Sequence, residues 1–178
     1  NRAADRNTFN DIYEKILKDL QSAGNAGEFY TPRAVTQFMV DVLNPQLGQS
    51  VLDPACGTGG FLTCAIEHLN KQVKTADDRK RLQESIHGVE KKPLPHMLAM
   101  TNMMLHGIDV PTNVRHDNTL SRPLKDYGPR DRVDLIITNP PFGGMEEDGI
   151  ENNFPRKYQT RETADLFMAL IMHLLKHD

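Results

Sequence analysis

The chain has 178 residues, a net charge of −3, 25% charged and 38% hydrophobic side chains, the profile of one globular domain with a sizeable core. No apolar run approaches the ~20 residues that cross a bilayer, no leader pattern opens the chain, and two cysteines, Cys56 and Cys64, cannot build a disulfide framework. Membrane-spanning and disulfide-stapled classes are thereby excluded, and a cytoplasmic protein is expected.

Phe9, Ile12, Tyr13, Ile16, Leu17 and Leu20 recur at helical spacing after Asn7 or Thr8 as a cap, so an N-terminal helical segment is expected within residues 1–26. Gly24 and Gly27 break it, and a core region over 27–178 follows. Thr31-Pro32 reads as a cap with proline at the first helical position, and Val35, Phe38, Met39, Val42 and Leu43 are expected to face inward. Ser50-Val51-Leu52 is a short strand that runs into Asp53-Pro54-Ala55-Cys56-Gly57-Thr58-Gly59-Gly60 and then a helix to about Leu69. A polar helix is predicted over 77–85 and a second strand over 86–89, ending at Glu90. The helix over 94–106 places Leu94, Met97, Leu98, Thr101, Met104 and Leu105 on one side, with Gly107 as its stop. A short third strand is expected near 113–115. Val133-Asp134-Leu135-Ile136-Ile137-Thr138 is the clearest strand and ends at Asn139. Residues 143–161 have no period and read as a long loop, either an element that orders over a ligand or a solvated linker. Residues 164–177 form an apolar helix that Thr163 can cap.

Strands alternating with helices predict an α/β fold, a doubly wound, mostly parallel sheet. Ligands of such sheets bind beyond the carboxyl ends of the strands, where Asp53, Glu90, Asp117 and Asn139 fall. The turn after the first strand alone is compatible with a tight turn in any α/β protein. Its pattern departs from Gly-x-Gly-x-x-Gly, and the next strand-end acid, Glu90, comes 30 residues after Gly60, against the ~20 expected of a dinucleotide site. Asp53 would also repel a pyrophosphate but suits an ammonium and a sulfonium. Spacing and charge favour S-adenosylmethionine over a nicotinamide cofactor.

Asp-Pro-Ala-Cys-Gly-Thr-Gly-Gly-Phe at 53–61, Gly-Glu-Phe-Tyr-Thr-Pro-Arg at 27–33 and Asn-Pro-Pro-Phe-Gly-Gly at 139–144 resemble, jointly and in this order, the modification (M) subunits of type I restriction-modification systems. The resemblance covers essentially residues 7–178. It implies an S-adenosylmethionine-dependent methyltransferase of Rossmann-like fold that modifies adenine N6 in double-stranded DNA. It further implies that Tyr30 and Thr31 flank the methionine end of the cofactor. By the same resemblance Asp53, Gly57, Thr58 and Gly59 shape the pocket, Glu90 holds the ribose hydroxyls and Asp117, next to Asn118, holds the adenine amino group. Its partners would be DNA, a specificity (S) subunit and a restriction (R) subunit, with no membrane.

Asn139, Pro140, Pro141 and Phe142 are the expected catalytic residues. An adenine amino nitrogen is a poor nucleophile because its lone pair is delocalised into the ring. The Asn139 side-chain oxygen and the Pro140 carbonyl can accept its two N–H groups and draw them out of plane. Both prolines stiffen the turn, which pre-organises the acceptors. Phe142 offers a face for a base removed from the duplex.

The seven histidines and two cysteines lack the usual zinc spacings, so no metal is expected. Cys56 reads as a small turn residue, and Met97, Met100, Met103 and Met104 as core and flank. Proteins that grip DNA alone show a basic face. The acidic balance therefore places most of the DNA grip in a partner or in further sequence. Four strands would also leave a sheet edge open, so the chain is expected to be a fragment. Rival readings are methylation of an RNA base or a glutamine amide, a cofactor-binding module without activity, and a nicotinamide oxidoreductase.

Overall fold

The computed structural model describes residues 31–176 together with Lys15. Tyr30 and the helical segment expected within 1–26, Lys15 aside, lie outside the described residues. Among residues 31–176 nine regular elements follow in chain order: α1 (Arg33–Leu43), β1 (Val51–Asp53), α2 (Gly60–Asn70), α3 (Ala76–Ser85), β2 (Ile86–Glu90), α4 (Pro93–Leu105), β3 (Val114–His116), β4 (Leu135–Ile136) and α5 (Thr163–Leu174). Short 3₁₀ turns fill much of the remainder.

The strands form one parallel sheet of order β3-β2-β1-β4. Successive strand residues point to opposite faces, and the core divides accordingly. Val51 joins Val40, Leu62, Ile66, Leu69, Ala99 and Met103 beneath α1, α2 and α4. Leu52 joins Leu120, Phe154, Leu166, Phe167 and Leu170 beneath α5. The expected doubly wound α/β architecture is therefore present. Leu62, Ile66 and Leu69 on α2 are each at most 1% exposed, and burial of each such side chain stabilises the fold by roughly 1.5–3 kcal/mol. No helix among the described residues is long and apolar enough to cross a membrane.

Two helices turn other faces inward than the periodicity suggests. On α1, Thr36 and Val40 are buried and Met39, expected to face inward, is half-buried against the same core, whereas Val35, Phe38, Val42 and Leu43 are exposed. The face is chosen by α2: the Thr36 hydroxyl lies 3.2 Å from Cys64 Sγ, and Arg33 pairs with Glu67 at 2.7 Å. On α4, the buried residues are Ala99, Asn102 and Met103, while Leu94, Met97 and Met104 face out. The small Ala99 side chain allows α4 to approach the glycine turn, an advantage that hydrophobicity does not register.

Several boundaries shift. Pro32 caps α1 in place of Thr31. The expected strand at 133–138 is paired as β4 only at Leu135–Ile136; Val133 instead makes an isolated parallel bridge with Leu175. That pairing draws Leu175 out of the helix, so α5 stops at Leu174. Thr163 begins α5 without capping it, because its hydroxyl donates to Glu146 Oε1 at 3.3 Å.

Candidate functional site

All four strands are parallel, so their carboxyl ends share one edge of the sheet. Asp53 ends β1, Glu90 ends β2, Asp117 follows β3 by one residue, and Asn139 follows β4 by three. Backbone bonds draw the ends together: Cys56 N–H donates to the Val89 carbonyl at 3.0 Å, Asp117 N–H to the Glu90 carbonyl at 3.0 Å, and Ile137 N–H to the Leu52 carbonyl at 3.1 Å.

The turn from β1 to α2 depends on two glycines with positive φ, Gly57 at 54° and Gly59 at 85°, a region that side chains disfavour. A Cβ on Gly57 would meet nothing within 4 Å, whereas one on Gly59 would lie 2.9 Å from Met103 Cε. Gly57 thus faces open space and Gly59 faces α4. Asn102 fastens the turn from α4 by donating its amide to the Thr58 carbonyl at 3.1 Å. Thr119 does so from the far side, donating its hydroxyl to the Pro54 carbonyl at 2.6 Å.

Two carboxylates flank this turn. Glu90 is held by the backbone, its Oε2 accepting from Gly57 N–H at 2.9 Å and its Oε1 from Lys92 N–H at 2.7 Å. Each oxygen keeps a further lone pair, enough for two hydroxyl donors. Asp53 is 1% exposed. Burial pushes its carboxyl up to about 7; the nearby Thr138 hydroxyl and the Ala55 N–H pull it back, and the Glu90 charge adds to the rise. A buried acid in this condition is stabilised as an anion by a cation brought beside it. The donor set fits a ligand with hydroxyls at one end and positive charge at the other. Burial, with the Asp53 and Glu90 charges, also pushes the Cys56 thiol up, so it is inert packing rather than a nucleophile.

Asn139 leaves β4 just past buried Ile137. Its Nδ2 donates to Thr31 Oγ1 at 3.1 Å, which leaves the Oδ1 end of the amide as an acceptor. Pro140 is half-buried and Pro141 exposed. Phe142 is 65% exposed, a large aromatic ring presented to solvent beside a polar acceptor.

Asp117 does not point its carboxylate inward. The side chain is 48% exposed and lies 3.8 Å from Arg115. Half-buried Asn118 is the more enclosed of the two; its Oδ1 accepts from Leu120 N–H at 3.0 Å, and its Nδ2 donates to Glu146 Oε2 at 3.2 Å. Thr58 meets the site through its backbone, and Tyr30 lies outside the described residues.

Residues 143–161 carry local structure. Met145 and Glu162 form an antiparallel bridge, two 3₁₀ turns span Ile150–Asn153 and Arg156–Tyr158, and Phe154 is 3% exposed within the core. Glu146, Asn102 and Thr119 escaped the reading of the sequence as site residues. Their partners lie 17 to 65 residues away, and no local pattern encodes such bonds.

A family model described as N-6 DNA Methylase matches residues 4–178. The type I restriction enzyme EcoEI methylase subunit of Escherichia coli is 64% identical over 172 residues, which is 96% of this chain and 35% of that protein. A crystal structure of a modification subunit of a putative type I restriction enzyme from Vibrio vulnificus YJ016 superposes with a TM-score of 0.88. It is 55% identical, and the match covers 96% of this chain and 36% of that one. A structure described as bearing on complex assembly and conformational transition of the type I R-M system has a TM-score of 0.87 at 43% identity, covering 96% of this chain and 34% of that one. The chain thus spans about a third of the length of the relatives it matches.

Proposed function

The chain belongs to the N-6 DNA methylase family, and on that premise we propose that it carries the catalytic core of a type I modification subunit, methylating adenine N6 in double-stranded DNA. The observation that carries this reading is Asn139 at the strand-end edge, its amide oriented by Thr31 at 3.1 Å beside the exposed ring of Phe142.

In this reading S-adenosylmethionine supplies a methyl group made electrophilic by its sulfonium. Asp53 offers a buried negative charge to the cationic end of that cofactor, Glu90 receives the ribose hydroxyls, and the Gly57-Thr58-Gly59 turn lets the backbone approach closely. Thr31, and Tyr30 before it, flank the methionine end. Asp117 serves the adenine end through its backbone, its N–H tied to the Glu90 carbonyl at 3.0 Å and its carboxylate turned out beside Arg115.

Asn139 Oδ1 and the Pro140 carbonyl accept the two N–H groups of the target amino group. The nitrogen becomes more tetrahedral and its lone pair turns toward the methyl carbon. Pro141 stiffens the turn, and Phe142 stacks on the extruded base. The chain's contribution is alignment and fixed dipoles. The methylated amine then loses its extra proton readily, so no base of tuned pKa is required.

DNA, a specificity subunit and a restriction subunit are the proposed partners, and the cytoplasm the proposed location. The net charge of −3 supports dependence on partners for DNA affinity. Radiolabelled methyl transfer tests the proposal. Label is expected on adenine N6 of double-stranded DNA. Label on RNA or on a protein amide instead, or binding of the cofactor without transfer in the assembled enzyme, would overturn it.

A further inference from the structure

We propose that Glu146 is a positioning residue for the adenosine end of the cofactor, fastening the loop that leaves Phe142 to the residues just past Glu90 and Asp117. The proposal rests on the assignment of Glu90 and Asp117 to that cofactor in the preceding section.

The Glu146 side chain is 11% exposed and receives three donors from three elements. Lys91 Nζ, one residue past Glu90, lies 3.3 Å from Oε2 and 3.0 Å from Oε1 of the neighbouring, exposed Glu147. Asn118 Nδ2, one residue past Asp117, donates to the same oxygen at 3.2 Å. The Thr163 hydroxyl, at the start of α5, donates to Oε1 at 3.3 Å.

Closing the loop does not require these contacts. The backbone already closes it: Glu146 N–H donates to the Arg161 carbonyl at 3.0 Å, and Thr163 N–H to the Gly144 carbonyl at 3.0 Å. The carboxylate therefore adds something the loop does not need for itself, a link to the ends of β2 and β3. Those ends are joined on the other side as well, since His116 Nε2 lies 3.0 Å from the Lys91 carbonyl. Asn118 and Lys91 follow Asp117 and Glu90 directly in the chain, so a carboxylate that holds their side chains limits how far the rim beside those two residues moves. Glu146 also lies four residues past Phe142, so the same contact ties the rim of the cofactor site to the loop that leaves the target-base turn.

Cofactor binding and steady-state methylation by the whole enzyme test this with Glu146→Ala and Glu146→Gln. Glutamine keeps an acceptor for Asn118 and Thr163 but has no charge for Lys91. Loss of a charge-assisted contact that holds the cofactor rim is expected to raise the S-adenosylmethionine KM about tenfold in Glu146→Ala, and less in Glu146→Gln. The kcat and the DNA KM are expected to stay within about twofold of the unmutated enzyme, because the methyl-transfer geometry is held by Asn139 and Thr31. A residue with a merely structural role would lower kcat and thermal stability and leave the cofactor KM alone. That pattern, or an unchanged cofactor KM in Glu146→Ala, overturns the inference. If the unmutated enzyme fails to bind S-adenosylmethionine at all, the underlying assignment is wrong and this inference falls with it.

Discussion

Asn139 Nδ2 donates to Thr31 Oγ1 across 3.1 Å, joining the strand-end asparagine to the residue that precedes Pro32 at the start of α1. The contact holds the N–H end of the amide and leaves Oδ1 as the acceptor that the proposed mechanism requires. Asn139→Ala is expected to abolish methyl transfer while sparing cofactor binding. Thr31→Val removes the orienting oxygen and is expected to lower kcat by roughly tenfold, with Thr31→Ser close to the unmutated rate. Single-turnover rates at saturating cofactor measure both. Normal turnover by Asn139→Ala would remove the acceptor mechanism.

Phe142 is 65% exposed, so its ring contributes little to the core. Phe142→Ala is expected to shift folding stability by no more than about 0.5 kcal/mol. It is also expected to weaken engagement of the target base by ~1–3 kcal/mol, the range for one base on one aromatic ring. Thermal unfolding and the DNA KM separate the two quantities. A large fall in stability with unchanged DNA KM would mean that the ring serves packing.

Much of this arrangement is legible in the sequence because it is local. Val51 to Leu69 reads as strand, turn and helix since its glycines and apolar residues are contiguous, and Asn139 to Phe142 follow the apolar run 133–138 without a break. The faces of α1 and α4 are not legible. Both helices are apolar on several sides, so periodicity does not say whether Phe38 or Val40 meets the sheet. The decision lies in partners such as Cys64 and Gly59, distant in the chain. The loop after Phe142 lacks a period because its order comes from a backbone bridge and from Phe154, neither of which repeats. The β4 strand is shorter than its apolar run because Val133 pairs with Leu175.

Gly59 and Gly60 are adjacent but face different constraints. Gly59 has a φ of 85°, and a Cβ there would lie 2.9 Å from Met103 Cε, in a side chain with 0% exposure. Gly60 starts α2, and a Cβ there would meet nothing within 4 Å. Gly59→Ala is expected to destabilise the protein by about 1–3 kcal/mol, from the left-handed backbone and the crowding. Gly60→Ala is expected to be neutral or stabilising by about 0.5–1 kcal/mol. Urea denaturation without cofactor gives the comparison, and equal losses at both positions would contradict it.

Asp53 gives the site a pH dependence whose sign follows from burial. Its carboxyl is raised from 3.8 to about 7 in the folded protein, mainly by burial, which disfavours the anion. Between these values the folded state holds more protons than the unfolded one, so stability falls as pH rises through that window. The full loss is of the order of 4 kcal/mol. Asp53→Asn removes the ionisation and keeps an acceptor for the Ala55 N–H, which bonds Asp53 Oδ1 at 3.1 Å. The variant is therefore expected to be more stable than the unmutated protein at about pH 8 and to lose most of that advantage near pH 5. Affinity for a cationic cofactor is expected to run the opposite way. It rises with pH in the unmutated protein as Asp53 ionises, and stays low and flat in Asp53→Asn. Cofactor binding near pH 7 then releases a proton, visible in calorimetry as a binding enthalpy that depends on the ionisation enthalpy of the buffer. A stability difference between the two proteins that does not change from pH 5 to about 8 would show that Asp53 is already ionised at the lower end. Its charge would then need a counter-charge at the site even in the absence of ligand.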